Sequence, residues 1–482
     1  MTPTTHSWFS IFLVALSVCL FPQVTLAQYQ TDYKPRQTYD ENSKSLIASI
    51  KDHLQEELDR INSRKKLEIS KIYHDRTNYL IGKVKQEVFI HDDTLQRFTE
   101  QVLKRILGNN SIHHPPKRIL VLKSSEVNAF CYLDGTFVIN IGLLAKIKNE
   151  SQLAFALAHE LAHFELDHLR KRITKNVETK VSKTVNREMA KVYGDDVTLA
   201  EIDSVKKFIY TLTQYSRSAE KQADSLGFIY FKKAGYSQPE AIALLSVLDS
   251  SEYLKYPVGK TLFRAFDFTK FPFKSFWLNQ RPRVYSKKSS KTFIFDNDSI
   301  SSHPDILMRK SILHEIITDT GRPLNYQPDD FVNGAIAIAE FESIESAFDT
   351  RQFDRCLFLA LEQLQRYPHN SYLISVTSKV MLKIVESKED GTFNWVVPAY
   401  TSMYSDEFRQ VNNFVHTISA EEGGEIVFHF LNNQSNFNPA VQDHYYLLWK
   451  ACVLTKRTEV TQRVKQSYLK AFPKGMYVDK MK

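Results

Sequence analysis

The stretch that most constrains this chain is Ala158-His159-Glu160-Leu161-Ala162-His163. It sits in LAFALAHELAHFEL, a run of strong helix formers. On a helix, positions i and i+4 share a face, so both imidazoles can reach one ion. Glu160 follows the first histidine by one residue. Its carboxylate there can meet a metal-bound water rather than the metal itself.

A bare pattern of this kind also arises by chance, so a third ligand decides its meaning. Zinc hydrolases use three protein ligands and leave the fourth position open. The third histidine of the metzincin spacing would fall at Leu169, which excludes that class. A glutamate on a later helix is the alternative, and Ser216-Arg217-Ser218-Ala219-Glu220-Lys221-Gln222-Ala223-Asp224 supplies one. Glu220 and Asp224 are one turn apart on one face. Glu220 can bind the metal while Asp224 accepts a hydrogen bond from a ligand histidine. A solvated charged helix face would account for Glu220 alone, but not for the combination. The residues therefore suggest one zinc per chain, held by His159, His163 and Glu220, with Glu160 as the base.

With 482 residues, 43% apolar and 24% charged, the chain can build a sizeable core and two or three domains. The net charge of +8 is spread along the chain and no nucleic-acid motif accompanies it. An apolar run from Trp8 to Phe21 precedes Pro22 and Thr25-Leu26-Ala27, which reads as a signal peptide cleaved after Ala27. No Lys or Arg precedes that run, so an uncleaved membrane anchor is the alternative. The periplasm is the expected compartment. Cys356 and Cys452 can pair there or remain two small buried side chains, the second being favoured.

Residues 40–75 carry apolar positions at Leu46, Ile50, Leu54, Leu58 and Ile61, the spacing of an amphipathic helix. A helix over Thr94–Leu107 follows, capped by Asp92 or Asp93. Arg118–Leu122 and Thr136–Ile141 read as strands, with a turn at Asp134-Gly135. Leu143 to about Lys175, Leu199–Ala234 and a segment starting at Pro239 read as helices. Tyr256–Phe273, rich in aromatics, reads as a long packed loop. Beyond about residue 330 the pattern is helical throughout, and Phe353–Asn370 has the form of the second helix of a tetratricopeptide-type repeat, with a weaker copy at Tyr468–Gly475. The expected division is a signal peptide over 1–27, a charged helical segment over 28–74, a peptidase domain over 75–325 and a helical module over 326–482. A chain of residues 28–325 is expected to fold alone.

In these motifs the chain resembles the gluzincin zinc metallopeptidases of the HtpX-like, BepA-like and CAAX-prenyl-type group. The resemblance rests on Asn128-Ala129-Phe130 with Gly135 and Gly142-Leu143-Leu144, on AHELAH with His168 five residues after His163, on SRSAEKQAD followed by Ala234-Gly235-Tyr236, and on Ser302-His303-Pro304 with Arg309. It covers roughly residues 75–315. It implies an α+β fold: a zincin-like, mostly helical peptidase domain with a small sheet, followed by an all-α tetratricopeptide-like domain. No membrane span lies near the metal-binding helix, so the resemblance is to the soluble exported branch, whose repeat-bearing members act on envelope proteins.

Other residues carry lesser expectations. Asn128 and Ala129 lie beside an edge strand that can pair with an extended peptide, and Asn128 can alternatively cap a turn. Gly135 belongs to the same candidate substrate-binding set, although a turn is its simpler role. His303 can donate to a developing oxyanion, fill the open metal position at rest, or merely start a helix. His168 is expected to be structural. The basic run Arg170, Lys171, Arg172 and Lys175 is a solvated face or a peripheral contact with anionic lipid. Two functions remain: an exported endopeptidase acting on unfolded or misassembled proteins, or a repeat-based chaperone or adaptor with a structural or vestigial zinc site. Glu160 favours the enzyme, because a closed structural site has no need of a base.

Overall fold

The computed structural model describes residues 29, 31–39, 41–178, 217–248, 258–279, 306–318, 329–398 and 406–481. The expected signal peptide, the first part of the helix expected from Leu199, and His303 lie outside these residues.

Two helices, α1 (Ser43–Asp59) and α2 (Lys66–Lys85), pack on each other. One amphipathic helix was expected through residue 75; the chain instead breaks after Asp59 and starts again at Lys66. The boundary expected at 74/75 falls inside α2. Ile50 of α1 and Leu80, Ile81 and Val84 of α2 pack with Phe130 and Val138 of the sheet and with Tyr132 just after β2, so these helices cover one of its faces.

Helix α3 (Asp93–Gly108) is capped as expected: Asp92 Oδ1 accepts from the backbone N–H of Thr94 and Leu95 at 2.9 and 3.0 Å. The sheet follows, with strands β1 (Arg118–Leu122), β2 (Ala129–Cys131) and β3 (Thr136–Asn140) in the order β1-β3-β2. β1 runs parallel to β3, and β2 antiparallel to it. All five β3 residues are buried, as befits a central strand. The β2–β3 hairpin turns at Gly135, whose φ of 78° lies in the left-handed region that favours glycine. Asp134 Oδ1 accepts the Thr136 N–H there, at 3.0 Å.

The single helix expected from Leu143 to about Lys175 is three: α4 (Ile141–Leu144), α5 (Glu150–Glu165) and α6 (His168–Glu178). Asn149 caps the start of α5, accepting from Gln152 N–H at 3.1 Å. Asp167 ends the connection to α6 with φ 55°, a conformation that aspartate tolerates better than most residues. Periodicity persists through such a turn, which is why the pattern did not reveal it.

Next come α7 (Arg217–Lys233), α8 (Pro239–Leu248), α9 (Val258–Phe266) and α10 (Ile306–Ile316). The loop expected over Tyr256–Phe273 is in part this α9. Val258, Thr261, Leu262 and Phe266 are its buried face, spaced by three and four. Its aromatics, with Phe273 and Trp277, stack on Phe414 and Phe430 of the C-terminal helices.

From Asp330 onward every element is helical: α11 (Asp330–Asp349), α12 (Phe353–Arg366), α13 (Ser371–Glu389), α14 (Phe393–Val396), α15 (Asp406–Thr417), α16 (Ala420–Leu431), α17 (Gln442–Leu454) and α18 (Thr458–Ala471). Successive members pack as hairpins, α11 with α12, α12 with α13, and α17 with α18. The chain is thus α+β, with a small sheet and an all-helical C-terminal region. Packing is continuous across residue 325: α11 lies on α3 and α4, and one hydrophobic core runs from Phe137 and Leu157 to Phe341 and Leu373. Cys356 and Cys452 are both buried and both free.

Candidate active site

Helix α5 is buried along nearly its whole length, including His159, Glu160 and His163. Its closest partner is α7. The approach is set by Gly227: a Cβ there would stand 3.0 Å from the Ala158 carbonyl oxygen and from the His159 Cα and N. With no side chain at that point, α7 lies directly against the turn carrying His159. Asp224 and Glu220, one and two turns earlier, then face the two imidazoles.

The resulting geometry is tight. His159 Nε2 and His163 Nε2 are 3.0 Å apart, and Glu220 carboxylate oxygens lie 3.6 Å from the first and 3.4 Å from the second. Tetrahedral zinc with bonds of 2.0–2.1 Å needs ligand atoms roughly 3.3 Å apart. Two imidazole nitrogens and a carboxylate oxygen at this separation fit that requirement. Among the described residues this is the cluster that can hold a metal ion.

A further set of contacts orients the cluster. Asp224 Oδ1 is 2.9 Å from His159 Nδ1 and accepts its proton, leaving Nε2 bare for a metal. Arg309, on α10, grips Asp224 with Nε and Nη2, each at 2.8 Å, and its Nη1 lies 3.5 Å from Glu220. Arg309 Nη2 is also 3.3 Å from His159 Nδ1, but a guanidinium only donates and Nδ1 already donates to Asp224. Burial alone would raise the Asp224 carboxyl; the charge and hydrogen bonds of Arg309 and the bond from His159 overcome it and bring it to about 2. Burial drives His163 down to about 3, which keeps it neutral, the form a metal needs.

Glu160 faces a cavity lined also by Asn128, Ala129, Leu143, Phe155, His159, Leu244 and Arg309. Asn128 and Ala129 line this cavity at the start of edge strand β2. The Asn128 amide oxygen accepts from the Ala129 N–H at 3.0 Å, a turn-like contact within its own segment. Gly135 does not line this cavity. It sits at the hairpin turn, 3.1 Å from Phe164 as measured from where a Cβ would stand, and acts there through its conformation.

Sequence reasoning took Arg309 only as part of a motif and His168 as structural, and it passed over Gln222. All three adjoin the ligand set. His168 Nδ1 is 2.8 Å from His163 Nδ1, and His168 Nε2 is 3.0 Å from Gln222 Oε1.

The chain is 26% identical over 180 residues to the beta-barrel assembly-enhancing protease of Yersinia pestis, covering 35% of this chain and 36% of that protein. It is 24% identical over 151 residues to a putative beta-barrel assembly-enhancing protease of Vibrio cholerae, covering 30% of this chain and 31% of that one. A mitochondrial metalloendopeptidase of Arabidopsis thaliana is 24% identical over 152 residues, 32% of this chain and 30% of the relative. The similarity spans about a third of the length of each of these relatives. The model of peptidase family M48 matches residues 65–317, a span that holds both halves of the metal-binding cluster and Arg309. The chain therefore belongs to peptidase family M48.

Proposed function

We propose that this chain is an exported zinc metalloendopeptidase that hydrolyses peptide bonds of unfolded or misassembled envelope proteins. One observation carries the reading: His159, His163 and Glu220 converge at the spacing that tetrahedral zinc requires. Zinc bound there would polarise the scissile carbonyl and acidify a bound water.

The chain's own residues do the rest. Glu160 takes and holds the water's proton at its carboxylate. Arg309 and Asp224 keep His159 in the binding tautomer. The outer edge of β2 pairs with an extended peptide, with Asn128 and Ala129 beside it. The C-terminal hairpins, read as tetratricopeptide-like, dock substrate or an envelope partner. This is supported by their contact with the segment leading into β2: Arg355 of α12 donates to the Ser125 carbonyl at 2.7 Å. The names of two relatives, which refer to β-barrel assembly, support the substrate class. Export rests on residues 1–27; among the described residues no helix is long and apolar enough to cross a membrane.

His303 is proposed as a restraint that fills the open metal position at rest. It stands in the sequence Ser302-His303-Pro304, three residues before α10 begins at Ile306.

The test is metal analysis of purified protein together with digestion of casein. Wild type should carry one zinc and cleave. Glu160→Gln should keep the zinc and lose about 10²–10⁴-fold in turnover, the usual cost of a lost general base. Near-full turnover in that variant would sink the mechanism. A wild-type protein that holds zinc yet leaves every unfolded substrate intact would favour the adaptor reading. His303→Ala should raise basal cleavage; a fall of about 10²-fold would assign it to the oxyanion instead.

A further inference from the structure

We infer that His168 and Gln222 act as positioning residues for His163, through a hydrogen-bonded relay that runs in one direction only. The inference rests on the metal-site reading above. His159 has its orienting partner in Asp224. His163 Nδ1 meets another imidazole nitrogen, His168 Nδ1, at 2.8 Å. Two facing ring nitrogens form a hydrogen bond only if one carries the proton and the other is bare.

The choice follows from what lies at each end. His163 Nε2 points at His159 Nε2 and Glu220, where a bare nitrogen is needed. A neutral imidazole with a bare Nε2 carries its proton on Nδ1, so His163 donates to His168. His168 Nδ1 is then bare and its proton is on Nε2, 3.0 Å from Gln222 Oε1, which accepts it. Every hydrogen bond in the chain His163→His168→Gln222 is satisfied in this sense. If Gln222 presented its NH₂ group instead, each donor and acceptor would reverse. His163 would then carry its proton on Nε2, where it blocks a metal.

An amide at the protein surface thus selects the tautomer of a buried ligand two residues away along the relay. Asp167, with its left-handed backbone, makes the sharp turn after α5 that returns His168 onto His163. Gln222 lies on α7 midway between Glu220 and Asp224, so one helix supplies a ligand and the orienting group for each histidine.

The experiment measures zinc affinity by competition with a chelator, and thermal unfolding in EDTA to register the metal-free fold. His168→Leu should weaken zinc by 10–100-fold, the usual effect of losing such a partner. His168→Asn should restore much of it, because the Asn carbonyl oxygen occupies the place of Nδ1 and can only accept. Gln222 is exposed, so its variants will fold. Gln222→Glu, a pure acceptor, should match or exceed wild-type affinity; Gln222→Met should lose several-fold. Equal affinities for His168→Leu and His168→Asn, or weaker binding by Gln222→Glu than by Gln222→Met, would overturn the relay. Glu220→Ala separates the two levels. If it too binds zinc as wild type does, the site reading itself fails; if it loses zinc while His168→Leu does not, only the relay fails.

Discussion

At the scale of single residues, the site depends on an atom that is missing. Gly227 lets α7 touch the backbone of α5 at His159, and the ligand spacing inherits that distance. In Gly227→Ala the new methyl would meet backbone at 3.0 Å, which cannot rotate away. Overpacking of this kind costs about 1–3 kcal/mol. Alanine's better helix propensity returns about 1 kcal/mol at most. The net expectation is a lower unfolding temperature and, because Glu220 and Asp224 move with α7, weaker zinc binding. A variant with unchanged zinc affinity would show that the close approach does not set the site.

At the scale of elements, α12 carries a buried charge at its first turn. Burial pushes the Asp354 carboxyl up to about 6, although Asn412 donates to it at 3.0 Å and the Arg355 N–H at 2.9 Å. An acid raised in the folded state adds stability below its unfolded value, near 4, and that stability is lost as pH rises through about 6. Denaturant unfolding in EDTA should therefore show stability falling between about pH 4 and pH 7, and the slope should flatten in Asp354→Asn. Identical pH profiles for the two proteins would remove Asp354 from the account. The amide also loses one acceptor, but that offset is the same at every pH.

At the scale of the molecule, the sequence division at 325/326 and the packing point in different directions. Period and composition change there, which is why a chain of residues 28–325 was expected to fold alone. Yet α11 covers α3 and α4, Lys123 pairs with Asp349 at 2.8 Å, and Lys146 pairs with Glu362 at 2.9 Å. The chain's beginning spans the same seam. The Tyr33 hydroxyl donates to Glu342 at 2.6 Å, and Asn370 donates to the Tyr29 carbonyl at 2.6 Å. The shared core leads to the opposite expectation: residues 28–325 expressed alone should aggregate or unfold at markedly lower temperature than the full chain. A soluble fragment with cooperative unfolding and bound zinc would establish two independent folding units.

What the sequence determined by itself was local. Histidines four apart in a run of helix formers can only share a face, and Glu220 with Asp224 can only share another. Asp92 as a cap and Gly135 as a turn follow from single-residue chemistry in the same way. The breaks at Asn149 and Asp167 escaped notice because apolar spacing continues through them. The tertiary structure alone decided what lies opposite each residue. It seats Glu220 about 3.5 Å from both imidazoles, sends Arg309 from α10 onto Asp224, and folds His168 back onto His163. These contacts arise where helices far apart in the chain cross, and periodicity carries no information about the partner across a crossing.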